Sequence, residues 1–348
     1  MSTPKPSPFW SKGRHRDRRP FLVARARIVA ALRRWFEAEG FLIVEPAALQ
    51  VSPGNEAHLH AFSTELVGPN GARVTRYLHT SPEFAMKKLL VAGEEKIAAF
   101  APVYRNRERG PLHAPEFTMV EWYRVGARYE AVMADTLAIV GLAAKAAEAP
   151  TLAWRGRKTD PFAPAERLTV ADAFRRLAGI DLFAASDRDR LAVEAEAAGV
   201  RVAADDTWSD VFSRILVEKV EPALGFGRPT LLQEYPVAEA ALARASPRDS
   251  RVAERFELYA CGVELANGFA ELTDPAEQRL RFAAEMDEKA RVHGERYPID
   301  EDFLAALAEM PEASGVALGL DRLVMLATGA PRIDLVQWTP VDTGEEIR

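Results

Sequence analysis

Cysteine is almost absent: Cys261 is the only one in 348 residues, which excludes an internal disulfide and any cysteine-based metal cluster. Metal chemistry, if present, must use carboxylates. No apolar run reaches membrane-spanning length, and the start, "MSTPKPSPFWSKGRHRDRRPF", is rich in proline and arginine but lacks the apolar stretch of a secretory signal. The expected location is the cytoplasm, with no membrane partner. Positive charge is not in excess either. With 45 Lys and Arg against 51 Asp and Glu the net charge is -6, which argues against a surface that coats nucleic acid, so any polyanion contact must be local. There is no internal repeat, no long low-complexity segment and no Gly-Lys-Ser/Thr of a Walker loop.

What is present is a chain long enough for a sizeable core, with hydrophobic residues at 48%. The basic run Lys12 to Arg19 is expected to be a solvated arm, the reading preferred over an RNA contact. Ile28, Leu32, Trp35 and Phe36 fall at helical spacing ahead of Gly40, and "FLIVEP" is a strand that must stop or lie at an edge by Pro46. "TSPEFAMKKLLVAG" predicts a helix with Ser81 as cap, Pro82 first, Glu83 in the first turn and Gly93 past the end. "IAAFAPVYR" and "EFTMVEWYRV" predict an antiparallel hairpin joined by a charged loop. Between about residues 129 and 228 the texture is helical and alanine-rich. Strands return at "TLLQEYPV" and "RFELYACGVELANGFAEL", and "SGVALGLDRLVMLATG" runs from strand to helix. Antiparallel runs with helices gathered between them predict an α+β fold.

Several residues stand out chemically. Phe117, Met119, Glu121 and Tyr123 share one strand face, so Glu121 is either wet on a half-covered face or buried with a cationic partner. Glu257 and Glu264 lie opposite the apolar sets of their strands. They are two solvent-face glutamates, or a like-charged pair that a magnesium ion would reconcile. Glu264, Asn267 and Glu271 surround Asn267-Gly268, a hairpin turn or a bend within one long strand. Arg322 opens a helix after a glycine-rich strand, where unpaired backbone N–H groups already favour an anion.

Together these stretches resemble the three motifs of a class II aminoacyl-tRNA synthetase core: "GFLIVEPAAL" motif 1, "YRNRERG" with "HAPEFTMVEWY" motif 2, and "GVALGLDRLVML" motif 3. "TSPE", "RFELYACGVELANGFAELTD" and "SGVALGLDRLVML" are similar to the lysyl branch, in an order that spans nearly the whole chain. Too few residues precede the first core helix for an anticodon-binding domain. The chain is therefore most similar to truncated paralogues of that branch, the elongation factor P (R)-β-lysine ligases. Those activate β-lysine with ATP and join it to a lysine side chain of elongation factor P, a protein that imitates tRNA.

The resemblance implies one class II synthetase-like catalytic domain over 21–348, an antiparallel sheet flanked by helices with a helical insertion over about 129–228, preceded by a flexible basic arm over 1–20. It implies a homodimer through motif 1, magnesium on Glu257 and Glu264, the α-phosphate on Arg105 and the terminal phosphate on Arg322. Glu83, after Ser81 and Pro82, would take the substrate's amino group, and Glu271 and Tyr123 the distal ammonium, with Glu121 in support. Asn267 would orient the carboxylate. Ala317 stands where lysyl enzymes tend to have glycine, a change that favours β-lysine over lysine. Asn106, Arg107, Glu108, His113, Ala114, Phe117, Leu265 and Gly319 would complete the nucleotide site. Two departures stand out: Arg107 replaces a glutamate expected near adenine, and Ala114 an asparagine. Either Glu108 takes over by a small loop shift, or adenine is held by backbone contacts and stacking. The alternatives are a stand-alone core charging tRNA, an acceptor the resemblance argues against, and an inactive lysine-sensing paralogue, against which the joint presence of Arg105, Arg322, Glu257 and Glu264 speaks.

Overall fold

The computed structural model describes residues 7–341. α1 (Lys12–Ala38) buries Leu22, Ile28, Leu32 and Phe36 along one stripe. It begins earlier than expected: Lys12 to Arg19, read as part of a flexible arm, are helical. The cause is tertiary. Arg18 is buried and donates to the Gln337 carbonyl, and Arg14 reaches Asp334 at 3.4 Å, so a distant segment holds the helix start. These anchors are set against the backbone hydrogen bond that Pro20, inside the helix, cannot make. Residues 1–6 of the expected arm lie outside the described residues.

Short strands β1 (Leu42–Ile43) and β2 (Leu49–Gln50) follow, then β3 (Phe62–Val67), β4 (Arg73–Leu78) and α2 (Glu83–Val91). β5 (Lys96–Tyr104) and β6 (Glu116–Val125) form the expected hairpin and lead to α3 (Tyr129–Ala146). The segment expected to be a helical insertion is mixed. It holds the hairpin β7 (Leu152–Trp154) and β8 (Arg157–Thr159), then β9 (Glu166–Thr169), before α4 (Val170–Ala178), α5 (Arg188–Ala197) and α6 (Trp208–Ile215). β9 joins the main sheet beside β10 (Thr230–Pro236), a pairing its four residues give no pattern for. β11 (Val252–Ala260), β12 (Val263–Ala270), α7 (Pro275–His293), α8 (Glu301–Leu307), β13 (Ala313–Gly319) and α9 (Leu320–Thr328) complete the order.

The main sheet runs β1-β5-β6-β13-β12-β11-β10-β9. It is antiparallel through its centre and parallel only at its two outer pairs, β1 with β5 and β9 with β10. β1 lies at the edge and stops at Ile43, short of Pro46, so both ways of accommodating that proline are met. Alternation along the central strands divides them between two faces. Val120, Trp122, Leu258 and Leu318 enter a core shared with α1, α3 and α9. Met119, Glu121, Tyr123, Glu257 and Asn267 face a cleft on the other side. That side is closed at one end by Phe84, Phe282 and Phe303 from α2, α7 and α8.

Candidate active site

The cleft has a volume of about 290 Å³ and combines acidic and basic ends. Arg105, Glu108, His113, Ala114, Phe117, Glu264, Leu265, Gly319 and Arg322 line it, as do Ser81, Glu83, Glu121, Tyr123, Glu257, Asn267, Glu271 and Ala317. Pro82 does not; it precedes the first residue of α2, where the Glu83 N–H donates to Ser81 Oγ at 3.2 Å.

At the acidic end the carboxylates are enclosed. Glu121 is buried; Ser81 Oγ donates to it at 2.6 Å and Tyr123 Oη at 2.6 Å. Burial, with the Glu83 charge adding to it, pushes the Glu121 carboxyl up to about 7. Glu271 follows β12 and is buried too. Burial raises it to about 8, even though Lys87 Nζ stands 2.6 Å from its Oε2. The same ammonium reaches Glu83 Oε1 at 2.5 Å from one helical turn on. Gly315 makes room for both Tyr123 and Glu271, since a Cβ there would lie 2.4 Å from the Tyr123 ring and 2.7 Å from Glu271 Oε1. Ala317 pairs with Asn267 on one side and Glu121 on the other, so its methyl group is set among cleft-lining residues.

The carboxylate pair on β11 and β12 depends on a bulge. Glu257 sits opposite Asn267, and strict alternation from Asn267 would turn Glu264 to the far face. The register shifts between Leu258 and Tyr259, Leu265 is the extra residue, and Glu264 turns into the cleft. Glu257 accepts from Arg255 Nη2 at 2.7 Å and Tyr259 Oη at 2.6 Å. Burial and then the Glu264 charge raise its carboxyl. Among the described residues no group of three or more His, Cys, Asp or Glu is arranged to hold a metal. Two carboxylates that repel each other still fit a magnesium ion whose other ligands are phosphate oxygens and water.

At the basic end Arg322 donates to the Glu264 carbonyl at 3.0 Å, and its Nη2 lies 2.8 Å from His113 Nε2. Burial and the Arg322 charge lower the His113 pKa, which suits a neutral imidazole accepting from the guanidinium. Arg105 Nε donates to the Thr80 carbonyl at 3.3 Å, and its guanidinium lies 5.3 Å from the Phe117 ring centroid.

The motif 2 loop corrects one expectation. Asn106 and Arg107 do not line the cleft. The Asn106 N–H donates to the His60 carbonyl at 2.6 Å, and Arg107, with φ +64°, turns outward to pair with Glu295. Glu108, one residue on, faces the cleft 3.8 Å from Arg105. Sequence reading also missed Arg255, which donates to Asn267 Oδ1 at 3.3 Å as well as to Glu257. Its signal was available: a cation two positions before Glu257 shares its strand face.

Comparison with known proteins agrees with this geometry. Residues 9–343 match the family of class II tRNA synthetases (D, K and N). The chain is 38% identical over 322 residues to the elongation factor P–(R)-β-lysine ligase of Vibrio cholerae, covering 92% of this chain and 94% of that protein. It is 40% identical to the protein of that name from Proteus mirabilis, with 92% and 94% covered, and 41% identical to that of Erwinia tasmaniensis, with 91% and 94% covered. With an antiparallel sheet carrying all three motifs, and with likeness over nearly full length, the chain belongs to the elongation factor P–(R)-β-lysine ligase family of class II synthetases.

Proposed function

We propose that the chain is an ATP-dependent ligase that activates (R)-β-lysine, or lysine, as an aminoacyl-adenylate and transfers the acyl group to a lysine side chain of elongation factor P. The observation that carries this reading is the cleft's polarity: buried carboxylates at one end suit a diammonium substrate, and two arginines at the other suit phosphates. In the first step a substrate carboxylate oxygen bonds to the α-phosphorus and the bond to pyrophosphate breaks. Arg105 neutralises the α-phosphate, Arg322 the terminal phosphate, and Asn267 orients the attacking carboxylate. Magnesium held by Glu257 and Glu264 would supply charge neutralisation on the phosphate oxygens. In the second step the acceptor amine bonds to the acyl carbon, AMP leaves, and the amine gives up a proton. Glu108 takes the adenine-facing place that Arg107 has left.

A homodimer through the β1 edge fits the exposed Leu42 there and the exposed Leu66, Val67 and Val74 of the neighbouring β2-β4-β3 sheet. No helix among the described residues is long and apolar enough to cross a membrane, which accords with action in the cytoplasm.

ATP–pyrophosphate exchange with lysine and with (R)-β-lysine tests the activation step. Exchange with neither sinks the enzyme reading. Transfer of label to elongation factor P supports the acceptor, and transfer to tRNA instead makes the chain a stand-alone lysyl-tRNA synthetase core.

A further inference from the structure

Lys87 is 1% exposed, does not line the cleft, and takes no part in the chemistry described above. Yet its ammonium lies between two of the cleft's carboxylates, 2.5 Å from Glu83 Oε1 and 2.6 Å from Glu271 Oε2. The rings of Phe269 and Phe303 stand 5.5 and 6.0 Å from it and screen it from water. A buried lysine is costly unless paired, and here both partners face the substrate space. The consequence for Glu271 is specific. Lys87 Nζ stands 2.6 Å from its Oε2, yet both of its oxygens are buried without a hydrogen-bond partner, and Oε1 lies beside Gly315 in the wall of the cleft. A buried carboxylate oxygen without a donor calls for a ligand that brings one. Charge points the same way: Glu83, Glu121 and Glu271 against Lys87 leave two negative charges when all are ionised, the number a diamino acid answers.

We infer that Lys87 is a positioning residue for substrate specificity: by holding one oxygen of Glu83 and one of Glu271, it presents the opposite oxygen of each to the two ammonium groups of a diamino acid. This rests on the reading of the cleft as a diamino acid site. Lys87 acts through the two glutamates and touches no substrate atom. It belongs to α2 and Glu271 to the end of β12, so the ion pair also fixes the distance between the two ammonium-binding places.

The test compares the wild-type protein with Lys87→Met and Lys87→Gln in ATP–pyrophosphate exchange. The KM for lysine, the KM for ATP and the inhibition constant of norleucine, which is lysine without its terminal ammonium, are all measured. A wild-type protein that exchanges with neither lysine nor (R)-β-lysine overturns the functional reading itself and is seen before any variant is made. Given an active wild type, Lys87→Met is expected to raise the lysine KM by about tenfold or more, to raise the norleucine constant distinctly less because norleucine keeps only the ammonium that Glu83 takes, and to leave the ATP KM within about twofold. Lys87→Gln keeps a donor without the charge. It is expected to show the same split, and it carries the test should the methionine variant not fold. Lysine and norleucine weakened equally in a folded variant, or an unchanged lysine KM, would overturn the inference and leave Lys87 as an ion pair of the fold alone.

Discussion

The acidic and basic ends of the cleft handle charge in opposite ways. At the acidic end Lys87, Glu121 and Glu271 are all but sealed from water, and each is already joined to a partner: Lys87 to Glu83 and Glu271, Glu121 to Ser81 and Tyr123. At the basic end the side chains of Arg105 and Arg322 keep 23% and 22% of their exposure; they rest on carbonyl oxygens and the His113 imidazole, with the carboxylates of Glu108 and Glu264 only at the long distances of 3.8 and 3.4 Å. Partners of that kind are weak beside a phosphate and readily exchanged for one. On the proposed function, the first end would choose the substrate and the second would receive charge that arrives with ATP and leaves with pyrophosphate.

Breaking the basic end should cost most. Arg322→Ala removes charge-assisted hydrogen bonds worth about 1.5–3 kcal/mol each, so pyrophosphate exchange is expected to fall by about a hundredfold. Unchanged exchange would refute its place on the phosphates. The acidic end breaks separately. Glu271→Gln is expected to raise the KM for lysine-type substrates by about tenfold and to leave ATP affinity untouched; equal loss of both would make Glu271 structural.

Titration sharpens the contrast with a smaller effect. Glu121 and Glu271 must be ionised to accept ammonium groups, and burial raises them to about 7 and about 8. The kcat/KM for lysine should therefore climb severalfold, roughly, between about pH 6 and about pH 8.5. A carboxyl raised above its unfolded value stabilises the fold below that value and loses the contribution as pH rises through the folded one. The contribution of these two groups to the Tm of the ligand-free protein should accordingly fall from the ordinary carboxylate range upward and be fully lost above about 7 for Glu121 and about 8 for Glu271. A flat profile for kcat/KM would mean that neither group answers the substrate. The smallest effect is expected at the loop that left the cleft. Arg107→Glu should change the ATP KM by no more than about threefold, because Arg107 points to Glu295. A change well beyond that would return residue 107 to the nucleotide.

The difference between the ends also explains what the sequence made legible. The antiparallel hairpins, the position of β1 at an edge and the strand-to-helix passage into α9 follow from alternation, Pro46 and the glycines around Ala317, all local signals. Whether Asn267-Gly268 is a hairpin turn or lies within one long strand is left open by local signals, and β12 runs through the pair from Val263 to Ala270. Local signals could not carry β9, whose four residues owe their place to β10, or the start of α1, held by residues more than three hundred positions away. Most cleft residues were found from motif likeness. Glu264 was found from its neighbours Val263 and Leu265, which enter the core while it faces the cleft, and the bulge is what lets Asn267 farther along β12 face the cleft as well. Lys87 escaped because a lysine on an amphipathic helix ordinarily lies at the surface, and nothing in "EFAMKKLLV" distinguishes the buried Lys87 from Lys88, whose side chain is 29% exposed.

One more connection runs from the first helix to Arg322. Arg25 of α1 is paired with Asp321, a buried carboxylate immediately before Arg322, and also donates to Thr118 Oγ1 at 2.8 Å on β6. Gln337 donates to the other oxygen of Asp321 at 2.9 Å. The helix that reads as an extension of a basic tail is thus part of the bracket that sets the angle of α9. Trimming the chain to the start of its first strand would remove no residue that lines the cleft, but it would strip the buried Asp321 of its counter-ion next door to Arg322, the residue proposed for the terminal phosphate.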